Sequence, residues 1–84
     1  MQNKDIEFLV FSAPWCHGCK VLKKSLEENN IPFKEINVDE AESESLVAEY
    51  KVRALPTTIG LKNGEVVLSM MGAGAIQDIL ELVE

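Results

Sequence analysis

An α/β chain with the element order βαβαββα is predicted by three features of the sequence. An apolar β-favouring run stops just before a helix-spaced stripe, an Asn-Gly pair separates two further apolar runs, and a last helical pattern closes the chain. At 84 residues there is room for one core only, because a domain this small buries about 60% of the surface its unfolded chain exposes. A single domain over residues 1–84 is therefore expected.

The first strand is read from Phe8-Leu9-Val10-Phe11, four consecutive β-favouring side chains that suit a strand covered on both faces. Beyond Ser12-Ala13-Pro14, Cys19, Leu22 and Leu26 recur at three and four residues. This makes a helical stripe with Lys20, Lys23, Lys24, Glu27 and Glu28 off it. Lys23/Glu27 and Lys24/Glu28 are spaced to pair along that helix. Asn29-Asn30 followed by Pro32 signals a helix stop, and residues 33–38 alternate as a second strand should. Asp39 with Glu42 three residues on resembles a capping box, opening a helix with Leu46, Val47 and Tyr50 inward. Strand, helix, strand in this order makes a right-handed parallel unit. After Lys51-Val52-Arg53-Ala54-Leu55-Pro56 come a third strand at 57–61, the turn Lys62-Asn63-Gly64-Glu65 and a fourth strand at 66–70. Gly72 and Gly74 lead into the last helix, with Ile76, Ile79, Leu80 and Val83 inward.

The chemistry is concentrated in Trp15-Cys16-His17-Gly18-Cys19, where two thiols stand at the junction of strand and helix. Cys16 falls at the helix N-terminus, where unpaired backbone N–H groups and the macrodipole favour an anion by roughly 0.3–1 kcal/mol. Cys16 is thus the expected thiolate. Cys19 lies one turn further on the same face. Attack by Cys16 on a substrate disulfide would give a mixed disulfide, which Cys19 would resolve by displacing the substrate thiol. His17, the only histidine, would favour the thiolate when cationic, or is simply a solvated residue of the first turn. Gly18 suits close approach of another backbone or a loose first turn.

Other uses of two cysteines stay open at this point. A structural staple closing so short a loop contributes only on the order of 2 kcal/mol by the chain-entropy relation. Zinc usually takes four Cys or His ligands, and this chain offers Cys16, Cys19 and the intervening His17 alone, so a zinc or iron–sulfur site would have to be shared between chains. Two inert buried thiols fit poorly with Pro14 and a helix start beside them.

Composition narrows the function classes. Hydrophobic residues at 46% with charged residues at 26% place the chain with soluble globular proteins rather than disordered ones. No stretch approaches the ~20 apolar residues of a membrane span, and residues 1–5 are polar, unlike a signal peptide. A reducing cytoplasm is the expected compartment, and there a closely spaced cysteine pair serves chemistry rather than structure. The net charge of −6 argues against nucleic-acid binding. Lys20, Lys23 and Lys24 make the reactive end locally basic, or form a solvated helix face.

Four motifs together resemble the thioredoxin superfamily over nearly the whole chain: Trp15-Cys16-x-x-Cys19, Val52-Arg53 ahead of Pro56-Thr57, Lys62-Asn63-Gly64-Glu65, and Gly72-Ala73. The resemblance implies a minimal thioredoxin fold, a four-stranded mixed sheet flanked by three helices. It implies Cys16 as nucleophile, Cys19 as resolving thiol, and a substrate surface made by Trp15, Leu55, Pro56 and Gly72. It also implies a cis Leu55–Pro56 bond against the cysteines, with substrate pairing to the Leu55 backbone as an added strand. Without it, Pro56 reads equally as a plain loop residue. The redox-active disulfide is then the chain's own, with no cofactor and no metal, and the expected state is a monomer.

The sequence departs from the thioredoxin pattern in four places. It opens at the cysteine-bearing strand, without the strand and helix that precede it in thioredoxins, as in glutaredoxin. His17-Gly18 replaces Gly-Pro. Val10 stands where thioredoxins carry a buried Asp that helps deprotonate the resolving cysteine, and Glu35 stands where a Lys is usual. Glu35 is therefore a candidate proton acceptor for Cys19, if partly buried beneath the motif, or else an exposed strand-edge charge.

The expected function is a dithiol protein-disulfide reductase recharged by a thioredoxin-reductase-like flavoprotein and acting on disulfide-containing proteins. A glutaredoxin-type reductase using glutathione is the alternative. Its usual Gly-Gly-Asp near the last helix is unmatched by Gly72-Ala73-Gly74-Ala75, while Lys20 or Arg53 would supply a cation for the glutathione carboxylates. A module that binds partners through Pro14, Trp15 and Leu55, with idle thiols, is a reading from another class.

Overall fold

Alternation along β1 (Ile6–Ser12) sets the architecture. Ile6, Phe8 and Val10 point into one hydrophobic cluster and Leu9 and Phe11 into another, and only Glu7 of the seven residues is exposed. A strand buried on both faces belongs at the centre of a sheet covered on both sides. The computed structural model, which describes residues 6–83, places it there. The reading of residues 1–5 as a polar, non-signal start lies outside the described residues.

The sheet order is β2-β1-β3-β4. β2 (Lys34–Asn37) runs parallel to β1, with Val10 opposite Glu35 and Ser12 opposite Asn37. β3 (Thr57–Lys62) runs antiparallel to β1, and β4 (Glu65–Met71) antiparallel to β3. This is the four-stranded mixed sheet implied by the resemblance. On one side lie α1 (His17–Glu28) and α3 (Ala75–Val83), which close Leu22, Leu26, Ala75 and Ile79 over Phe8 and Val10. On the other side lies α2 (Glu44–Glu49), where Leu46, Val47 and Tyr50 cover Leu9, Phe11, Ile36 and Ile59. Phe11 and Tyr50 meet edge to face with centroids 6.0 Å apart.

The helix stops are backbone motifs. At the end of α1 the Ile31 N–H donates to Leu26 O and the Asn30 N–H to Glu27 O, with Asn30 left-handed at φ 57°. The end of α2 repeats the motif, Val52 to Val47 and Lys51 to Ala48, with Lys51 at φ 53°. Asn63 and Gly64, both at positive φ, make the tight turn between β3 and β4.

Two local expectations are corrected. Asp39 and Glu42 form no capping box: a 3-10 turn over Ala41–Ser43 precedes α2, and neither it nor α2 has a side-chain cap. Lys23 does not pair along its own helix. It reaches across to Glu35 on β2, the one ion pair among the described residues.

Leu22, fully buried between α1 and the sheet, tests the core, and Leu22→Ala is expected to cost about 2–5 kcal/mol in urea unfolding. Thr58 is also fully buried, and its Oγ1 has no partner within the described protein. Since an unpaired buried hydroxyl costs about 1–3 kcal/mol, Thr58→Val, of nearly the same shape, is expected to raise stability in that assay.

Candidate active site

The site is assembled by the turn that joins β1 to α1. Pro14 sits second in a turn closed by the Cys16 N–H donating to Ala13 O at 3.1 Å, and the chain enters α1 immediately afterwards. Cys16 caps the helix. Its backbone is extended, and its Sγ accepts the Cys19 N–H at 3.2 Å, satisfying one of the free donors of the first turn. Cys16 and Cys19 are joined as a disulfide with Cα atoms 5.3 Å apart. The two differ in access: Cys16 is 7% exposed and Cys19 is fully buried. An incoming group can meet only the first of them.

A second loop packs against the pair. Leu55 contacts the cluster of Ala13, Cys16 and Cys19, the Leu55–Pro56 bond is cis, and Pro56 is buried. The loop is held by Thr57 Oγ1 donating to Ala54 O at 2.5 Å and by the Gly72 N–H donating to Pro56 O at 2.8 Å. Gly72 has a φ of 97°, which L side chains rarely adopt. A methyl group at Gly18 would meet the Pro56 ring at Cδ, 3.4 Å away, an ordinary contact with a side chain rather than the close approach of a backbone.

Trp15 is 70% exposed, yet its ring is not free: Nε1–H donates to Asp39 Oδ2 at 2.9 Å. His17 is exposed and its side chain makes no hydrogen bond among the described residues. Behind the motif, Glu35 Oε2 accepts from Ser12 Oγ at 2.6 Å and from Lys23 Nζ at 2.5 Å. These bonds, Lys23 first, hold the Glu35 carboxyl below its ordinary pKa against a smaller opposing effect of burial. Its side chain is 44% exposed on the edge strand β2, so Glu35 is an exposed edge charge, tethered to Lys23 and Ser12.

The structure thus gathers Trp15, Cys16, Cys19, Leu55, Pro56 and Gly72 on one side of the molecule and sets Glu35 behind. Sequence reasoning missed Ser12 and misread Asp39. A tryptophan N–H wanting a partner was the available signal for Asp39, but nothing in the sequence between them, a separation of 24, points to it. No group of three or more His, Cys, Asp or Glu that could hold a metal ion occurs among the described residues.

A cysteine pair at a helix start, facing a cis-proline loop at the end of a four-stranded mixed sheet, defines a dithiol–disulfide exchange protein of thioredoxin architecture. The thioredoxin family profile matches residues 1–84. The chain is 36% identical over 78 residues to thioredoxin from Haemophilus influenzae, covering 84% of this chain and 71% of that protein. It is 35% identical over 77 residues to thioredoxin from Bacillus subtilis, covering 87% and 74%. Among solved structures, a mutant thioredoxin from Halobacterium salinarum superposes with a TM-score of 0.80 at 28% identity, over 95% of this chain and 73% of that one. The germline thioredoxin Deadhead of Drosophila melanogaster gives 0.78 at 27%, over 96% and 84%. The chain belongs to the thioredoxin family. It is a thiol–disulfide oxidoreductase, a protein-disulfide reductase whose redox group is its own disulfide, and the thioredoxin reading is favoured over the glutaredoxin one.

The Glu35 network has a pH signature. Its folded pKa lies below the unfolded one, so the stability it contributes is complete above the ordinary carboxylate range near 4.5 and is lost as pH falls from there through the lowered value. Glu35→Gln is therefore expected to flatten the loss of stability below about pH 4.5, read by thermal melting between pH 3 and pH 7.

Proposed function

We propose that residues 1–84 act as one thioredoxin-like domain, a monomer, that reduces disulfides in cytoplasmic proteins through Cys16 as nucleophile and Cys19 as resolving thiol. One observation carries the assignment of roles: Cys16 caps α1 and is the cysteine that keeps some exposure, whereas Cys19 is fully buried. The Cys19 N–H and the helix start favour the Cys16 anion. In the reduced protein the Cys16 thiolate attacks one substrate sulfur, forming the Cys16–substrate disulfide and expelling the other substrate sulfur as a thiolate that takes up a proton. Cys19, after losing its proton, attacks Cys16 Sγ, restoring the Cys16–Cys19 disulfide and releasing the second substrate thiol. Two electrons pass to the substrate, and a reductase returns them.

Trp15, Leu55, Pro56 and Gly72 form the proposed substrate surface, with the substrate backbone lying along Leu55 as an added strand. Their placement around the one accessible sulfur supports this. Glu35 is the proposed proton acceptor for Cys19. The support is its position, fixed by Lys23 one helical turn beyond Cys19 and by Ser12 on the strand beneath the motif; the same bonds keep it ionised, and so free to take a proton, while lowering its basicity. His17, exposed beside Cys16, is the proposed tuning residue: its cationic form favours the Cys16 anion. The electron donor is a thioredoxin-reductase-like flavoprotein rather than glutathione, because the relatives are thioredoxins. No helix among the described residues is long and apolar enough to cross a membrane.

Cys16→Ser is expected to abolish turnover of a protein disulfide, whereas Cys19→Ser should accumulate a covalent mixed disulfide visible by mass spectrometry. Accumulation by Cys16→Ser instead would reverse the assigned roles. Glu35→Gln is expected to slow mixed-disulfide resolution, and an unchanged rate would remove Glu35 from the mechanism. Turnover coupled to a flavoprotein thioredoxin reductase should exceed turnover with glutathione and glutathione reductase; the opposite order would make the protein glutaredoxin-like in use.

A further inference from the structure

On the α2 side of β3 and β4 there is a cleft of about 320 Å³ lined by Tyr50, Lys51, Arg53, Thr57, Ser69 and Met71. Lys51 and Arg53 are exposed, and neither takes part in an ion pair among the described residues. In a chain of net charge −6, two unneutralised cations in one cleft are a local reversal of sign. Lys51 also occupies the left-handed position that ends α2, where glycine would adopt the same backbone at less cost.

The cleft shares its chain segments with the active-site loop. Arg53 and Thr57 flank Leu55–Pro56: Leu55 packs on the cysteines, while Thr57 pairs with Met71 across the sheet, next to the Gly72 N–H that binds Pro56 O. Arg53 is three residues from Pro56, at most about 11 Å of extended chain. Near the other end of α2 the charge is opposite, since Asp39, Glu40 and Glu44 line a separate cleft. At the Lys51 end the two cations outweigh the single carboxylate of Glu49, the last residue of α2, so the field along the helix has a direction: carboxylates are drawn to the Lys51 end and repelled from the Glu44 end.

We propose that Lys51 and Arg53 form a specificity site for substrate proteins that carry an acidic segment within a few residues of the disulfide to be reduced. This rests on the reductase reading and names the class of substrate that the same site takes. The Arg53 guanidinium offers a carboxylate two parallel N–H donors, Lys51 adds a second positive charge, and Tyr50 and Met71 give the segment an apolar floor.

The test compares two disulfide peptides of equal length, one with a Glu pair and one with a Lys pair at the same distance from the disulfide, and a small uncharged disulfide as a third substrate. The wild-type protein is expected to show a kcat/KM about tenfold higher for the acidic peptide than for the basic one. That ratio should shrink as salt shortens the screening length from about 30 Å at 0.01 M to about 3 Å at 1 M. K51E/R53E should invert the ratio, and Arg53→Gln, a milder change at an exposed position, should move it in the same direction. K24E/K62E, equal in charge change but on α1 and at the far end of β3, should keep the wild-type ratio. Equal kcat/KM for the two peptides, or equal loss of preference in both double variants, overturns the specificity site while turnover of the small disulfide leaves the reductase reading standing. Failure of the wild-type protein to reduce the small disulfide overturns that reading, and this inference with it.

Discussion

Everything chemical in this molecule depends on one hydrogen bond, from the Cys19 N–H to Cys16 Sγ. It exists because the turn over residues 13–16 delivers Cys16 in an extended conformation at the point where α1 begins, so that the sulfur takes the place a Ser or Asp oxygen takes in an ordinary helix cap. A capping sulfur meets a free backbone donor and the positive end of the helix at once. A helix-terminus interaction of about 0.3–1 kcal/mol multiplies the anionic fraction of a thiol by roughly two to five. The same geometry places Cys19 one turn later, under the first sulfur and out of solvent. On the proposed roles, reactivity and order of attack both follow from this single local conformation.

The charge arrangement behind the motif follows a different logic from the thioredoxin pattern. A carboxylate at position 10 would sit in a fully buried site, at a large desolvation cost unless paired. Val10 avoids that cost and packs with Phe8, Leu22 and Leu26. The carboxylate stands instead on the neighbouring strand at Glu35, where water reaches it and both Ser12 and Lys23 bind it. The core is thereby left without a charge at this point, its one polar atom there being the Thr58 hydroxyl opposite Val10, and the charged group becomes a clasp between α1 and β2.

What was legible in the sequence is what is local or periodic. The double-sided strand at Phe8-Leu9-Val10-Phe11, the Cys19/Leu22/Leu26 stripe, the Asn30 stop and the Asn63-Gly64 turn each rest on contacts within a few residues or on burial with a fixed period. The polar contacts that finish the site are neither. Trp15 to Asp39 spans 24 residues and Lys23 to Glu35 spans 12, and no spacing rule connects them. Asp39 shows why a local rule misled. The Asp39 N–H is already turned toward Asn37 Oδ1, its carboxylate is drawn to the indole N–H, and the extended residue that precedes the 3-10 turn is Glu40, one position later. A capping box needs Asp39 itself in the cap position, so the sequence signature was present without the geometry it requires.

Gly18 shows how helix strength and groove shape compete in the same residue. Glycine inside a helix costs about 1 kcal/mol relative to alanine, and α1 carries that cost in its first turn, beside the thiols. The opposing constraint is Pro56, whose Cδ lies 3.4 Å from where a methyl group would sit, at the inner edge of ordinary contact. Alanine would just touch the ring, and any side chain that branches or extends in that direction would press the proline loop away from Cys16. Thr57 Oγ1 and the Gly72 N–H anchor the loop on both sides of that ring, so the ring has little room to give way. Position 18 thus has room for a methyl group and no more: the limit on its size comes from the proline loop beside Cys16, not from the helix.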